Sequence, residues 1–411
     1  MAFLPRCLAV LLLLGNTTAF HANRLFQQFD TASRPPRSGP PTKRDGGSMA
    51  PLKITNNCGE TLWPGIGTQA GTGPGIGGFE LAPGEGVDLM VSANWQGRVW
   101  GRTNCSFNAA GTGPADGEGP SCDSGDCQGV LDCVATGVSP ATLAEYDLAG
   151  GNGNRQCFYD ISLVDGYNLP LGIVMLPGSD PKLADVPPNL TNAVCIATAG
   201  YAAPPAPSGQ NGGSGNTSFP IPWEPIQGNA QIASWCPWDL LTIQPDKPGD
   251  GVYPYPDDHI KRPTFDPCGS GCAKTNSPQD CCTGEYSDRA KCVPNMYSHQ
   301  SNKVCPDAYG FPFDDESSTF VIPGGGGGGF ETIFCPEGRS SNILKTFKQQ
   351  LQDLTSASPA KLGEIMQDAG NLTIIMEAAK KMSRGERSRG ELGDMGSVGA
   401  LVVVIAWLVL S

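Results

Sequence analysis

Sixteen cysteines constrain the fold of this 411-residue chain more than any other feature. Ten of them fall in two stretches that hold few apolar residues, at positions 105, 122, 127 and 133 and at positions 236, 268, 272, 281, 282 and 292. Such stretches cannot offset their conformational entropy without crosslinks. With 55 Gly, 37 Pro and only 16% charged residues, the composition indicates a turn-rich, secreted, disulfide-bonded protein.

Short alternating segments in the body of the chain predict an all-β fold. Clear examples are Leu52–Cys58, Gly86–Val91, Asn94–Thr103 and Leu171–Leu176, each bounded by Gly, Pro or Asn. Their close spacing is typical of a sandwich or a barrel. No substantial helical pattern occurs before Asn342.

The segment from Arg155 to Pro170 draws attention because it carries two carboxylates on a strand pattern. Asp160 and Asp165 are five residues apart, an odd offset. A bulge or the turn at Gly166 must therefore intervene if the two side chains converge. Glu145 lies on an upstream run that could pair as a neighbouring strand, so the sequence predicts an acidic surface here.

The charge balance disfavours nucleic acid as a partner. Between Asp45 and Ser340, 13 Lys and Arg stand against 32 Asp and Glu, and this net charge of −19 would repel a polyanion. With three His and with cysteines expected in bridges, no metal site is predicted. The six glycines 324–329 lack the Lys-Ser/Thr sequel of a phosphate loop, so no cofactor is predicted either.

The N-terminal part of the chain reads as processing signals. Residues 1–22 combine a basic Arg6, an apolar core and small residues near their end, which predicts a secretory signal peptide. Residues 23–44 are polar, rich in Pro and end in a Lys-Arg pair. They are predicted to be a pro-segment cut at this dibasic site, with an uncut disordered arm as the alternative.

The C-terminal part reads as a lipid-anchor signal. The uncharged apolar run Val398–Leu410 is short for a membrane span, and small residues precede it. We therefore predict a GPI-attachment signal over 389–411, with attachment at Ser388 or alternatively Ser383, and a short tail anchor as the other interpretation. The protein is thus expected to be secreted and to stay at the cell surface, bound to the membrane through lipid.

Between the body and the anchor signal, residues 337–388 carry apolar side chains at helical spacing. A partly helical stalk is predicted, and a docked pair of amphipathic helices is the alternative. Glycosylation is expected at the sequons of Asn189, Asn216 and Asn371.

Several motifs occur in an order that resembles the thaumatin-like proteins of the osmotin-like, pathogenesis-related type. They are Gly101-Arg-Thr-Asn-Cys105, Cys122-Asp-Ser-Gly-Asp-Cys127, Pro140-Ala-Thr-Leu-Ala-Glu145, Tyr159-Asp-Ile-Ser through Asp165-Gly-Tyr-Asn-Leu-Pro170, Cys281-Cys282 and Cys305-Pro-Asp-Ala-Tyr309. The resemblance covers residues 51–336. Together these motifs are highly specific, because such a set is hard to assemble by chance.

The resemblance implies a flattened antiparallel β-sandwich of about eleven strands with two smaller disulfide-rich lobes. The lobes correspond to residues 104–139 and 196–304, the latter with a loop insertion at 198–228. An acidic cleft is expected between the sandwich and the larger lobe. Matched motif by motif, its walls are Arg102, Glu145, Asp160, Asp165 and Asp307.

The resemblance also implies a pairing of the cysteines. Seven bridges are expected: Cys58–Cys335, Cys105–Cys122, Cys127–Cys133, Cys195–Cys305, Cys236–Cys268, Cys272–Cys281 and Cys282–Cys292. Typical plant members of this family have an eighth bridge, and neither of its two cysteines is found in this chain. The absence of both is what the loss of one whole bridge requires. Cys157 is left over, and we predict a buried thiol outside the bridges, with an intermolecular bridge as the alternative.

Clustered carboxylates suggest glycoside hydrolysis, with Glu145 as general acid and Asp165 as base or nucleophile. The resemblance implies binding of β-1,3-glucan or a related cell-wall polysaccharide, with weak endo-β-1,3-glucanase activity in some members. The alternative is a non-catalytic inhibitor or antifungal defence protein, in which the acidic cluster is structural. We expect a monomer, and the two chain ends suggest a fungal surface protein.

Overall fold

A computed structural model describes the body of the chain and the start of its tail. The described residues are 48–117, 119–151, 156–178, 183, 186, 190–201, 229–243, 264–324, 327–336 and 338–351. The predicted signal peptide and pro-segment, the three glycosylation sites, most of the stalk and Ser388 lie outside them. Within these ranges, no helix combines the length and the apolar character needed to cross a membrane.

Strands dominate the described residues, and the helices are short. The ten strands are β1 Met49–Asn56, β2 Gly65–Ala70, β3 Gly86–Ser92, β4 Gln96–Trp100, β5 Leu143–Gly150, β6 Gln156–Ser162, β7 Leu171–Leu176, β8 Ala193–Cys195, β9 Phe320–Pro323 and β10 Gly329–Phe334. The five α-helices are α1 Asn229–Ala233, α2 Gly271–Thr275, α3 Met296–Val304, α4 Asp315–Ser318 and α5 Ile343–Thr346.

The strands form two five-stranded sheets, which confirms the predicted sandwich. The first sheet has the order β3-β1-β10-β7-β8, and the second has the order β2-β4-β5-β6-β9. All pairs within the sheets are antiparallel except β1 with β10. That parallel pair joins the first strand of the described residues to the last.

Aromatic side chains fill the space between the sheets. The ring of Phe330 on β10 lies 5.1 Å from that of Tyr146 on β5 and 4.7 Å from that of Tyr159 on β6. The Tyr146 hydroxyl also hydrogen-bonds Thr332 on β10 at 2.7 Å. Because strand side chains alternate between faces, the neighbours of these tyrosines on β5 and β6 point away from the core.

All seven bridges implied by the resemblance are formed, with the expected partners. Two of them close contacts over long stretches of sequence: Cys58–Cys335 spans 277 residues and Cys195–Cys305 spans 110. Cys157 is buried, takes no part in the seven bridges and directs its sulfur towards the Leu148 carbonyl at 3.2 Å.

The packed structure continues beyond Pro336 to Leu351. Ser341 donates its N–H to the Val194 carbonyl at 2.9 Å and accepts the Val194 N–H on its hydroxyl at 2.9 Å. Three apolar side chains of the same segment are buried in the main core, namely Ile343, Phe347 and Leu351. This tail segment, residues 338–351, is part of the domain, although the stalk was predicted to begin at residue 337.

Peptide mapping of the unreduced protein should recover the seven disulfide pairs. An alkylating reagent should modify Cys157 only after the protein has been denatured. The expectation follows because Cys157 is buried while each partner pair has a Cα separation of 4.0–6.1 Å. A peptide joining Cys195 to Cys236, or Cys58 to any residue but Cys335, would contradict the arrangement. Alkylation of the native protein serves as the control for burial.

Candidate functional site

A row of charged side chains crosses the second sheet on the face turned away from the core. In the strand register Arg98 of β4 lies opposite Glu145 of β5, which lies opposite Asp160 of β6. Directly opposed residues of antiparallel strands share a face. Since Tyr146 and Tyr159 point into the core, Glu145 and Asp160 point outward.

Two features surround this row on the outward face. At one end the small lobe packs on Trp100 and Leu143, in a cluster with the cysteines of the Cys127–Cys133 bridge. The larger lobe reaches the end of β6 through α3, where the Tyr297 hydroxyl donates to the Leu163 carbonyl at 2.7 Å. The charged row therefore lies on the part of the sheet face flanked by both lobes.

Arg98 and Glu145 form a buried ion pair. The Arg98 Nη2 and Glu145 Oε1 atoms are 3.1 Å apart, and both side chains are 3% exposed. Asp160 is nearly as buried, at 5%. In such surroundings a lone charge is costly, whereas removal of one partner of a buried pair leaves the other uncompensated. Arg98 and Glu145 thus depend on each other.

Asp165 approaches the row from the turn that follows β6. The turn is closed by the Gly166 N–H, which donates to the Leu163 carbonyl at 2.9 Å, and Gly166 has a φ of 93°. This turn supplies the change of direction that the odd spacing of Asp160 and Asp165 requires. Asp165 is only partly buried, so it is the most accessible member of the group. We call Arg98, Glu145, Asp160 and Asp165 the acidic cluster.

Burial raises the pKa of both candidate catalytic carboxyls. For Glu145 the loss of solvation is the largest influence, Arg98 opposes it, and Asp165 adds to it. For Asp165 burial again raises the pKa and Arg98 again opposes the rise. The mutual influence of these groups brings Arg98, Glu145 and Asp165 into one electrostatic unit. A raised pKa lets a carboxyl keep its proton to a higher pH than usual, which is the direction that a general acid needs.

Arg102 lies elsewhere, and the prediction that it supplies the cation of the cluster is corrected: Arg98 does so. The Arg102 guanidinium is buried and donates to four backbone carbonyls, those of Trp63, Pro64, Val130 and Leu131, at 2.7–3.2 Å. Burial lowers the pKa of Arg102 to about 10. β4 ends at Trp100, so Arg102 has already left the strand and holds the small lobe to the sandwich.

Asp307 serves the tail rather than the open face of the cluster. Its Oδ2 accepts the Ile343 N–H at 2.7 Å and its Oδ1 accepts the Leu344 N–H at 2.9 Å. Both oxygens thus bind the first turn of α5, whose N–H groups have no partner within the helix. No local pattern indicates this contact, because it joins residues 36 and 37 positions apart.

The acidic cluster combines one guanidinium with three carboxyl groups, which are polar groups that a carbohydrate site can use. Among the described residues, no group of three or more His, Cys, Asp or Glu is arranged to hold a metal ion. Asp165, the partly exposed member of the cluster, can accept hydrogen bonds from the hydroxyl groups of a ligand, while the buried members hold charge behind it. Carboxyls at raised pKa beside a cation also match the needs of acid–base chemistry.

Comparison with known proteins gives an independent result. Residues 56–336 match the model of the thaumatin family. Pathogenesis-related protein 5 of Arabidopsis thaliana is 36% identical over 285 residues, which cover 69% of this chain and 89% of that protein. A glucan endo-1,3-beta-glucosidase of Prunus avium is 31% identical over 296 residues, covering 71% of this chain and 92% of that protein.

Among solved structures, a thaumatin-like xylanase inhibitor is 34% identical over its aligned part. The alignment covers 31% of this chain and 76% of that structure, with a TM-score of 0.25.

Proposed function

The chain belongs to the thaumatin family, and on that premise we propose that its acidic cluster binds a cell-wall polysaccharide of the β-1,3-glucan type. One observation carries the proposal: Arg98, Glu145 and Asp160 are aligned across three strands on the outward face, with the more accessible Asp165 beside them. A chain of sugar rings presents hydroxyl groups at regular intervals, and carboxyl and guanidinium groups form strong hydrogen bonds with them. The name of the Prunus avium relative supports this choice of glycan.

The site is proposed to act outside the cell, held at the surface by a lipid anchor. The seven bridges support an oxidising compartment, because structural disulfides persist there and are rare in the cytosol. The leader and anchor signals that motivate the rest of this proposal lie outside the described residues.

Replacement of Asp165 by Asn should lower the affinity for a β-1,3-glucan about tenfold, because one charged hydrogen-bond acceptor is lost. Glu145→Gln should reduce affinity at least as much, since the ion pair with Arg98 that orients the row is weakened. Calorimetric titration with a soluble β-1,3-glucan measures both.

The matched control for these variants is Asp88→Asn, which removes an exposed carboxylate from β3 of the other sheet. Its affinity should equal that of the wild type. Wild-type protein that binds β-1,3-glucan no better than a β-1,4-glucan contradicts the proposal. Retention of seven bridges in each variant excludes misfolding as the cause.

Slow hydrolysis of the bound glucan is the second candidate function. It is favoured by the raised pKa of Glu145, since a protonated acid is needed at the leaving oxygen. Asp165 would serve as the base or nucleophile, and Arg98 would limit the rise in its pKa. Assay of released reducing ends tests this: wild type should release them, and Asp165→Asn should not. If the wild type binds glucan but releases no reducing ends, the site binds glucan without hydrolysing it.

A further inference from the structure

Asp165 lies in the tight turn that follows β6, residues 163–166. The Gly166 N–H donates to the Leu163 carbonyl at 2.9 Å, which makes Asp165 the third residue of a β-turn. One hydrogen bond of this kind is a weak constraint by itself, and connecting segments are in general more mobile than strands. The direction of the Asp165 carboxyl therefore depends on the groups that hold the turn from outside.

The larger lobe supplies one of these groups. The hydroxyl of Tyr297, on the first turn of α3, donates to the same Leu163 carbonyl at 2.7 Å, and Tyr297 is 2% exposed. Burial, and to a smaller extent the charge of Asp165, raises the pKa of Tyr297, so the hydroxyl keeps the proton that it donates. The Leu163 carbonyl thus accepts one hydrogen bond from within the turn and one from the larger lobe.

The end of the turn is held by the larger lobe as well. Tyr167 and Cys268 exchange backbone hydrogen bonds at 2.8 and 2.7 Å, and Cys268 is bridged to Cys236. Gly166 is closely packed: a Cβ atom there would be 2.7 Å from the Cys268 carbonyl oxygen and 2.9 Å from Cβ of Pro140. The turn therefore has little room to move while the lobe is in place.

The Tyr297 ring is in turn fixed by an aromatic neighbour. The Trp235 ring centroid lies 6.0 Å from that of Tyr297 and 5.9 Å from that of Tyr167, and Trp235 Nε1 donates to the Ala197 carbonyl at 2.9 Å. Side chains that packing locks in this way hold a functional group more precisely than a loop alone can.

We infer that Tyr297 is the positioning residue of Asp165: its hydroxyl fixes the turn from which the accessible carboxyl of the acidic cluster meets a ligand. The inference rests on the proposed function of that cluster and adds the larger lobe to the site as a working part. Hydrogen bonds weaken steeply with poor angles, so a carboxyl that turns away binds less well. Tyr297 contributes to recognition without touching the ligand.

Tyr297→Phe removes the hydroxyl and keeps the ring that packs on Trp235. It should lower the affinity for a soluble β-1,3-glucan about fivefold, because Asp165 is less well directed without the bond to the Leu163 carbonyl. In a protein that already carries Asp165→Ala, the same change should cost no more than about twofold, since the carboxyl that it directs is absent. Calorimetric titration of the wild type, both single variants and the double variant measures this coupling.

Tyr159→Phe is the matched control. Tyr159 is also buried, and its hydroxyl donates to the Thr191 carbonyl at 2.7 Å on the core side of β6. The variant loses a hydrogen bond of the same type and length away from the turn, so its glucan affinity should stay within about twofold of the wild type. Near-ultraviolet circular dichroism establishes that each variant has folded before affinities are compared.

The titration of Asp165 gives a readout that a loss of stability alone would not move. The ionisable groups that act on this carboxyl from the elements packed against it are Arg98 of β4, Glu145 of β5 and Tyr297 of α3. Burial raises the pKa of Asp165 in the intact turn, so a loosened turn that admits water should lower it towards its ordinary value. Carbon-13 NMR of labelled aspartate should show this fall in Tyr297→Phe and no change in the control.

The outcomes separate the inference from the function on which it rests. An affinity loss that disappears in the Asp165→Ala background, together with a lower pKa of Asp165, supports it. Unchanged affinity and pKa in Tyr297→Phe overturn it and leave the acidic cluster its proposed role. A loss of equal size in both backgrounds also overturns it, because Tyr297 then acts on the fold and not through Asp165. If the wild type binds no β-1,3-glucan, the proposed function fails, and the titration alone decides whether Tyr297 positions Asp165.

Discussion

Arg98→Met is expected to lower the free energy of unfolding at neutral pH by about 3–5 kcal/mol. The substitution keeps much of the side-chain volume but removes the cation that faces Glu145 at 3.1 Å. Breaking a buried pair from one side has this magnitude because the remaining charge stays buried without compensation. Urea unfolding at about pH 7 measures the loss.

The same variant should recover part of its stability in acid. Burial already raises the pKa of Glu145 and Asp165, and without Arg98 both rise further. A carboxyl whose pKa is higher in the folded than in the unfolded state favours folding as the pH falls through the folded value. The difference from wild type should therefore be smaller at about pH 4.5 than at about pH 7.

Arg289→Met provides the matched comparison, because Arg289 is exposed on the larger lobe. It should change the free energy of unfolding by no more than about 0.5 kcal/mol at either pH. The role assigned to the ion pair would be contradicted if Arg98→Met were as stable as the wild type. It would also be contradicted if the loss in free energy of unfolding were larger in acid than at neutral pH.

Truncation of the chain after Pro336 should lower the free energy of unfolding by roughly 5–9 kcal/mol relative to the untruncated chain. Each buried apolar side chain that is lost contributes about 1.5–3 kcal/mol. Ile343, Phe347 and Leu351 are 2%, 6% and 8% exposed, and all three are lost. The truncation also strips Asp307 of the two N–H groups that its carboxylate accepts. Differential scanning calorimetry of the two purified proteins tests the expectation.

A point variant separates packing from chain length in this experiment. Phe347→Ala should cost about 3 kcal/mol because it opens a cavity in the main core. Lys348→Ala, on the exposed side of the same segment, should stay within about 0.5 kcal/mol of the wild type. Equal stabilities of the truncated and longer proteins would show that the tail contacts contribute nothing.

Most of the fold could be predicted from the sequence, because strand patterns and cysteine motifs are visible in short stretches of residues. Short alternating segments indicated the strands, and the resemblance carried the cysteine pairing, because each bridge follows from a motif position. Asp160 and Asp165 were also found this way. The turn at Gly166 was identified as the place where the chain must change direction, and the left-handed φ of that glycine is what makes the turn.

The partner of Glu145 could not be read in the same way. Arg98 and Arg102 both fell within one predicted strand, Asn94–Thr103, and the sequence does not state where that strand ends or how it is registered against the next. β4 ends at Trp100, and its register sets Arg98 opposite Glu145. The tail shows the same limit: its helical spacing was visible, but the surface that receives Phe347 is formed by distant residues.

The pairing of the first strand with the last has a consequence for biosynthesis. The bridge of Cys58 cannot form until Cys335 has been synthesised, 277 residues later. At about 5–20 residues per second this synthesis takes roughly 14–55 s. During that time β1 lacks its β10 neighbour, while Cys105, Cys122, Cys127 and Cys133 have already emerged. Those four cysteines pair with one another, but the Cys58 thiol meets them before its own partner exists, so a wrong bridge formed by Cys58 must be resolved by disulfide exchange. Production in a host that lacks a disulfide isomerase should accordingly yield shuffled, aggregation-prone chains.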